Sequence, residues 1–527
     1  MESLGRGSMM ARIRRITACG ARGSFTIGTH PERTPRRAQG RSRTRPARKL
    51  ESMTDVGRSR RVAIVGAGPS GFYTAEQLLG QGFEVDLLDL LPTPYGLVRA
   101  GVAPDHPKIK SVTRMYDKTA ARDGFRFFGG VAVGEDVTRA ELLDRYHAIV
   151  YAVGTASDNR LGIPGEDRPG SYAATRFVAW YNGHPHARDE QFDLSATRAV
   201  VVGNGNVAID IARMLVLDPD ELASTDTADH ALAALSSAQV EEVILLGRRG
   251  PAQAAFTNPE LRELGELSRA APVVDPVELD LDEHSRAWLE TEANATAKRN
   301  YELLRTYAER PLGDASHRIT LRFLRSPVEL LGEGESTQRT SSSGTSGHVT
   351  GMRIVHNRIE PGRDGSLRAV ATDREEVIPC GLVIRSIGYR GTPLGDVPFD
   401  TRRGLIRNDG GRVCGEDGEP HAGEYCVGWI KRGPSGVIGT NKKDAADTVA
   451  KIVEDAGAGR LPDPPDADGE ATGAWLRASA PAVVEWDGWQ AIDEHERSLG
   501  EAAGRPRVKL VSIDELVAAS RGTPAAR

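Results

Sequence analysis

Two glycine-rich turns carry the clearest chemistry in this chain. The first, Gly66-Ala67-Gly68-Pro69-Ser70-Gly71, follows the apolar run RVAIV at 61–65 and precedes FYTAEQLLGQG. Its first glycine suits a tight turn, its second lets a backbone approach a pyrophosphate, and its third lets a helix pack on a strand. The second turn, Gly203-Asn204-Gly205-Asn206-Val207-Ala208, follows RAVVV at 198–202 and precedes IDIARMLV. In both, free N–H groups and the positive end of a helix dipole would meet a phosphate. The strands that follow end in opposite chemistry. Asp89 closes one, 23 residues after Gly66, where a carboxylate can accept from a ribose hydroxyl pair. Arg248 and Arg249 close the other, and two guanidiniums suit a 2′-phosphate, hence NADP rather than NAD. Against this stand a glycine turn with no ligand and a solvated arginine turn.

The elements that must hold these turns are two β–turn–α–β units. The second is stretched: 45 residues separate Gly203 from Arg248, against the usual ~20. The polar helical insert DPDELASTDTADHALAALSS at 218–237 accounts for the excess. Two dinucleotide sites in one chain suggest one for a tightly held flavin and one for a nicotinamide, with a hydride passing between the rings. The expected class is α/β, with two Rossmann-like dinucleotide-binding domains.

Composition narrows the rest. A length of 527 residues suits two or three domains, and a net charge of −5 speaks against a nucleic-acid binder. No apolar run approaches 18 residues, so no transmembrane segment is expected. Cys19, Cys380, Cys414 and Cys426 form no CxxC pair, which argues against a redox-active disulfide, a locally held iron–sulfur cluster or a zinc ribbon; no metal site is expected. Up to Ser52, thirteen Lys/Arg stand against three acids, with no apolar periodicity. Residues 1–57 therefore read as a disordered basic tail. A transit peptide, a tether, or a start at Met53 are the other readings. Cytoplasmic localisation is expected unless that tail targets an organelle. The polar run 333–348 reads as a surface loop between strands.

One loop stands out for stiffness. LPTPYGLVRAGVAPDHPKIK, residues 91–110, holds four prolines, two glycines and His106 just past Asp89. Read alone, His106 is an exposed loop histidine, and Glu263 in NPELREL is a helix-start acid behind an Asn258 cap and Pro259.

Five stretches together resemble adrenodoxin reductase and its bacterial relatives, ferredoxin–NADP reductases of the glutathione-reductase-like class. They are VAIVGAGPSGFYTAEQLL, the proline loop, VVGNGNVAIDIAR, GRRGPAQAAFTNPELREL and GWIKRGPSGVIGTNKKDA, in order over about residues 60–450. The resemblance implies an NADP domain (158–372) inserted into a discontinuous FAD domain (58–157 and 373–527). It implies FAD and NADP(H) as cofactors, hydride transfer from NADPH to FAD, and single electrons onward to an acidic ferredoxin. For FAD it points to Gly66, Gly68, Ser70, Gly71, Asp89, Leu97, Val133, Trp429, Gly436, Val437 and Ile438. For NADP it points to Gly203, Asn204, Gly205, Asn206, Val207, Arg248, Arg249, Glu260 and, shared with FAD, Gly436. His106 and Glu263 would form an ionic couple near the flavin. Some members carry Arg where Asn159 stands; here the arginine is Arg160. Lys431, Arg432, Lys442 and Lys443 are candidate docking charges, and a monomer is favoured. A flavin monooxygenase on the same fold, or a flavoprotein that senses redox state without turnover, are the competing functions.

Overall fold

The computed structural model describes residues 60–311, 313–333 and 347–522. The expectations for the basic tail, Cys19 and most of the polar run 333–348 lie outside these residues. The described residues form one compact unit by their contacts.

Two parallel sheets organise it. In the first, strands Pro420–Cys426, Ala148–Tyr151, Arg61–Val65, Glu84–Asp89 and Phe125–Gly129 lie side by side in that order, all parallel. Short antiparallel strands finish both edges, among them Val484–Glu485. The strands read as almost unbroken apolar runs because both faces are covered. Val62, Ile64, Val85 and Leu87 enter one core, beneath helices Pro69–Gly80 and Thr440–Gly457, while Ala63, Val65, Leu88 and Ile149 enter the other. This is the period-two alternation of a strand, with hydrophobic residues on both sides.

The second sheet runs Ser171–Ala173, Leu382–Arg385, Arg198–Val202, Glu242–Leu246, His317–Arg322 and Ala270–Val274, again parallel throughout. Ala199, Val201, Val243 and Leu245 pack under helix Asn206–Val216 and its neighbours. Val200, Val202, Ile244 and Leu246 pack against a three-stranded antiparallel sheet, Arg325–Gly332, Val349–Pro361 and Leu367–Pro379. The insert at 218–237 forms two short helices, Pro219–Ala223 and Asp229–Ser236.

The return crossing differs from the expected boundary. A division at 372/373 cuts strand Leu367–Pro379, and Leu382–Arg385 belongs to the second sheet, between Ser171–Ala173 and Arg198–Val202. The chain crosses between the sheets at a small antiparallel ladder, where Tyr389 and Arg390 face Asp158 and Ser157. A buried parallel strand is apolar in either sheet, so composition could not place LVIR.

Candidate active site

The first turn is built on close packing. Gly66 has φ +111°, and a Cβ there would sit 2.6 Å from the Ala152 carbonyl oxygen. At Gly68 a Cβ would meet nothing within 4 Å, and the same holds at Gly205 in the second turn. Crowded glycines therefore shape each turn, Gly66 and Gly71 in the first and Gly203 in the second, and each leaves one open face at a helix N-terminus. That open face is where a pyrophosphate fits. Asp89 closes the first cradle. One of its oxygens accepts from Ala67 N–H at 2.7 Å and the other from Leu91 N–H at 2.9 Å. Burial outweighs both bonds and pushes this carboxyl up to about 6. Each oxygen keeps a lone pair for a hydroxyl.

Around this cradle, Leu97 is 41% exposed, and Val133 is half-buried on a bridge to Val137. Trp429 stacks on Tyr389 with ring centres 5.6 Å apart and donates to the Ser435 carbonyl at 3.2 Å. Gly436 and Val437 are exposed beside it, and Ile438 reaches the first core. Gly428 lies directly against Ser70, so the 428–438 segment packs on the first turn. Lys431 and Arg432 are committed inward. Lys431 pairs with Asp444 at 2.9 Å, and Arg432 donates to Asn441 at 2.8 Å. Of the four expected docking charges, Lys442 and Lys443 remain exposed.

In the second turn, the Asn206 side chain accepts from Thr257 N–H at 2.8 Å, and the Asn204 carbonyl accepts from Ala255 N–H at 3.1 Å. Val207 packs against the second core. Arg248 and Arg249 are exposed at the end of strand Glu242–Leu246. Among the described residues, no carboxylate pairs with either. Their backbone is nevertheless fixed: Asn357 donates to the Arg248 carbonyl at 2.8 Å and Leu324 N–H to that of Arg249 at 3.0 Å. Burial, then the Arg248 charge, lowers the pKa of Arg249.

His106 and Glu263 do meet. His106 Nε2 lies 2.8 Å from Glu263, which is on helix Asn258–Glu263 of the second sheet's unit. Thr257, not Asn258, occupies the N-cap of that helix; Asn258 instead donates to Thr296 and Asn300. Glu260 lies 3.9 Å from His106, with one oxygen buried and unpartnered. Burial first, then Asp210, raises its carboxyl to about 7. Three residues that motif reading missed complete the cluster. Arg213 is buried, pairs with Asp105 and with Asp210, the latter at 2.8 Å, and lies 2.8 Å from His106 Nε2. Nε2 cannot accept from Arg213 while it donates to Glu263. Burial favours neutral imidazole, but the Glu263 bond, with Asp105 and Asp210, outweighs it and raises the His106 pKa. The acids thus offset the Arg213 guanidinium beside the ring. The missed signal was Asp210 with Arg213 on an otherwise apolar helix. Arg160 is exposed and pairs with Asp167.

Two parallel sheets, each presenting a glycine cradle at its central strand, define a two-dinucleotide flavoprotein oxidoreductase. The family model for pyridine nucleotide-disulphide oxidoreductases matches residues 60–249. NADPH-ferredoxin reductase FprA of Mycobacterium tuberculosis is 49% identical over 471 residues, 86% of this chain and 98% of that protein. Mitochondrial NADPH:adrenodoxin oxidoreductase of Bos taurus is 40% identical, over 90% of this chain and 96% of that one. The solved structure of Mycobacterium tuberculosis FprA in complex with NADPH superposes with a TM-score of 0.81 at 47% identity, covering 88% of this chain and all of the other. The chain belongs to the family of NADPH–ferredoxin reductases of the adrenodoxin reductase type.

Proposed function

We propose that this enzyme oxidises NADPH and passes the electrons through FAD, one at a time, to an acidic ferredoxin. The observation that carries this reading is the contrast between the two strand ends: a carboxylate beside one cradle, two unpaired arginines beside the other. The first cradle, with Ser70, Asp89 and the 428–438 segment, would hold FAD. FAD supplies two-electron acceptance from a nicotinamide and one-electron release. The second cradle, with Asn204, Asn206, Arg248 and Arg249, would hold NADPH. Glu260 would stand at its nicotinamide end, and Gly436 would let the two rings approach. We place the second unit's limits near residues 158 and 388, where the chain crosses between the sheets.

In this reading, hydride transfer needs no base, so the chain's own residues orient, exclude water and set charge. Glu263, Asp105 and Asp210 favour the charged form of His106, at the seam between the units. Lys442 and Lys443 would steer the acidic partner.

The family model's name mentions disulphides, but thiol chemistry is disfavoured here. Cys380, Cys414 and Cys426 are free and buried, and burial pushes the Cys380 thiol up to about 12. An attacking cysteine needs the opposite shift. Reduced buried thiols also favour a reducing compartment, and we place the enzyme in the cytoplasm. No helix among the described residues is long and apolar enough to cross a membrane.

Purification, a visible spectrum and titration with NADPH and NADH test the cofactors together. Steady NADPH-dependent reduction of a [2Fe–2S] ferredoxin is expected. Oxygen-dependent substrate oxidation without ferredoxin reduction would instead make the protein a monooxygenase, and binding without turnover would make it a sensor.

A further inference from the structure

The segment 505–511 runs along the seam between the two units and touches both. Arg505 donates to the Thr227 carbonyl at 3.2 Å and pairs with Asp229, both in the second unit's insert. Pro506 lines a cavity of about 380 Å³ that also exposes His106, Arg213 and Glu263. Arg507 pairs with Asp493 at 2.8 Å and Glu496 at 3.1 Å, on helix Trp486–Ala502 of the first unit. Leu510 packs against the first unit's core and Val511 against the second's. Neighbouring residues of this segment thus serve opposite units.

Lys509 sits at the middle of this strap, with its side chain 1% exposed. It donates to the Arg99 carbonyl at 3.3 Å in the proline loop, and lies 3.4 Å from both Asn182 and Asp226 of the second unit. Asp226 also pairs with Lys110 at 2.6 Å. Lys110 ends the short helix Pro107–Lys110, whose N-cap is His106. One aspartate thus joins the strap to the helix that presents the histidine. The buried Glu496 anchors the other side, taking both nitrogens of the Arg99 guanidinium at 2.8 and 2.5 Å and the Leu510 N–H at 2.9 Å.

Buried ion pairs of this kind are weak evidence for stability, because desolvation offsets most of the attraction. They do specify geometry, since a charge out of place is left unpaired. Three buried charged groups, Asp226, Glu496 and Lys509, meet the half-buried Arg99, Lys110 and Arg507 where two units and one loop join, so a positional role accounts for them better than a purely stabilising one.

We propose that Lys509, Asp226 and Lys110 are positioning residues: they fix the height of the His106 helix against the second unit, and through it the approach of the nicotinamide to the flavin. The proposal rests on the NADPH-to-flavin reading above. A displacement of about 1 Å in such a site can cost up to ~100-fold in rate.

The test is anaerobic stopped-flow reduction of the flavin by NADPH in the full chain, comparing unaltered protein, Lys509→Met, Lys110→Ala and Lys110→Arg. The expected result is flavin bound as in the unaltered chain, an NADPH Kd changed less than about threefold, and a limiting reduction rate lowered at least roughly tenfold. Lys110→Arg should restore most of the rate lost in Lys110→Ala. Should Lys509→Met fail to fold, the Lys110 pair decides, since that side chain lies nearer the surface. Normal limiting rates in flavin-loaded Lys509→Met and Lys110→Ala, or in Lys110→Ala alone, would overturn the positioning role. If NADPH does not reduce the flavin of the unaltered chain, the functional reading itself fails and takes the proposal with it.

Discussion

Removing Arg248 and Arg249 together gives the sharpest test of the nucleotide assignment. Both guanidiniums stand exposed without a carboxylate, and their backbone is held from below by Asn357 and Leu324. Alanine at both positions therefore removes charge and donors without leaving a buried group unpaired. A hydrogen bond to a charged group contributes about 1.5–3 kcal/mol, and solvent exposure argues for the low end. Two such bonds give about 3 kcal/mol, or roughly 150-fold at ~1.4 kcal/mol per decade. NADH has no 2′-phosphate and cannot lose these contacts.

The assay is steady-state diaphorase activity with each nucleotide at fixed ionic strength. For the double variant, kcat/KM for NADPH should fall roughly 100-fold, chiefly through KM, while NADH changes less than about threefold. Added salt should erode the preference of the unaltered enzyme, because exposed charges are screened. An unchanged NADPH-to-NADH ratio in the double variant would refute the reasoning. The strand end would then be only a solvated turn.

Three further outcomes follow from the same geometry. Gly68→Ala places a methyl in open space, at an N-cap with φ −81° that alanine tolerates, so the protein should fold but its flavin content should drop at least roughly tenfold; full flavin occupancy would move the pyrophosphate elsewhere. The Glu260 carboxyl is raised from an ordinary 4.5 to about 7, so the folded state holds an extra proton in that window and loses stability as pH rises through it, by up to about 3 kcal/mol. Glu260→Gln should flatten the fall in Tm between pH 5 and 8, and an unchanged slope would assign the proton to another group. Lys442→Glu with Lys443→Glu should raise the KM for ferredoxin and abolish its salt dependence, leaving flavin reduction by NADPH unaltered; equal ferredoxin kinetics would put the docking face elsewhere.

Local chemistry was the legible part of this chain. A strand, a glycine turn and a helix are contiguous, so Gly66, Gly68 and Gly203 could be read from spacing, and Asp89, Arg248 and Arg249 from where the next strand stops. Contacts between distant segments were not. His106 and Glu263 are 157 residues apart, and the family resemblance, not anything local to either residue, is what paired them. Lys431 looked like a docking charge because sequence shows a charge and not the Asp444 that neutralises it. The Asn258 cap failed because the helix begins at Asn258 itself, behind a Thr257 whose side chain makes no capping bond, and Asn258 found partners on a helix some forty residues on. The segment 505–511 forms no helix or strand, so it carries no periodicity to read.

The proline loop shows how the two kinds of information join. Its first end is tied to the first glycine turn: Tyr95 N–H donates to the Ala67 carbonyl at 2.8 Å, and a Cβ at Gly96 would lie 3.0 Å from Gly68 Cα. Tyr95 itself holds φ +85°, a conformation that costs a non-glycine residue about 1–3 kcal/mol. Such strain persists only when neighbours over-determine it, and here Asp117 and Trp489 both bond the Tyr95 hydroxyl. The other end is tied to the second unit through Lys110 and Asp226. Between these anchors, Pro104 and Pro107 flank His106 and remove backbone freedom that a ligand would otherwise have to quench. A hydride crosses only when the reacting atoms stand about 3–3.5 Å apart, so tenths of an ångström between the units matter. A stiff segment pinned to one cradle and to the other unit's insert transmits position where a flexible one would average it away. The stiffness read from four prolines is thus what chemistry between two distinct sheets requires.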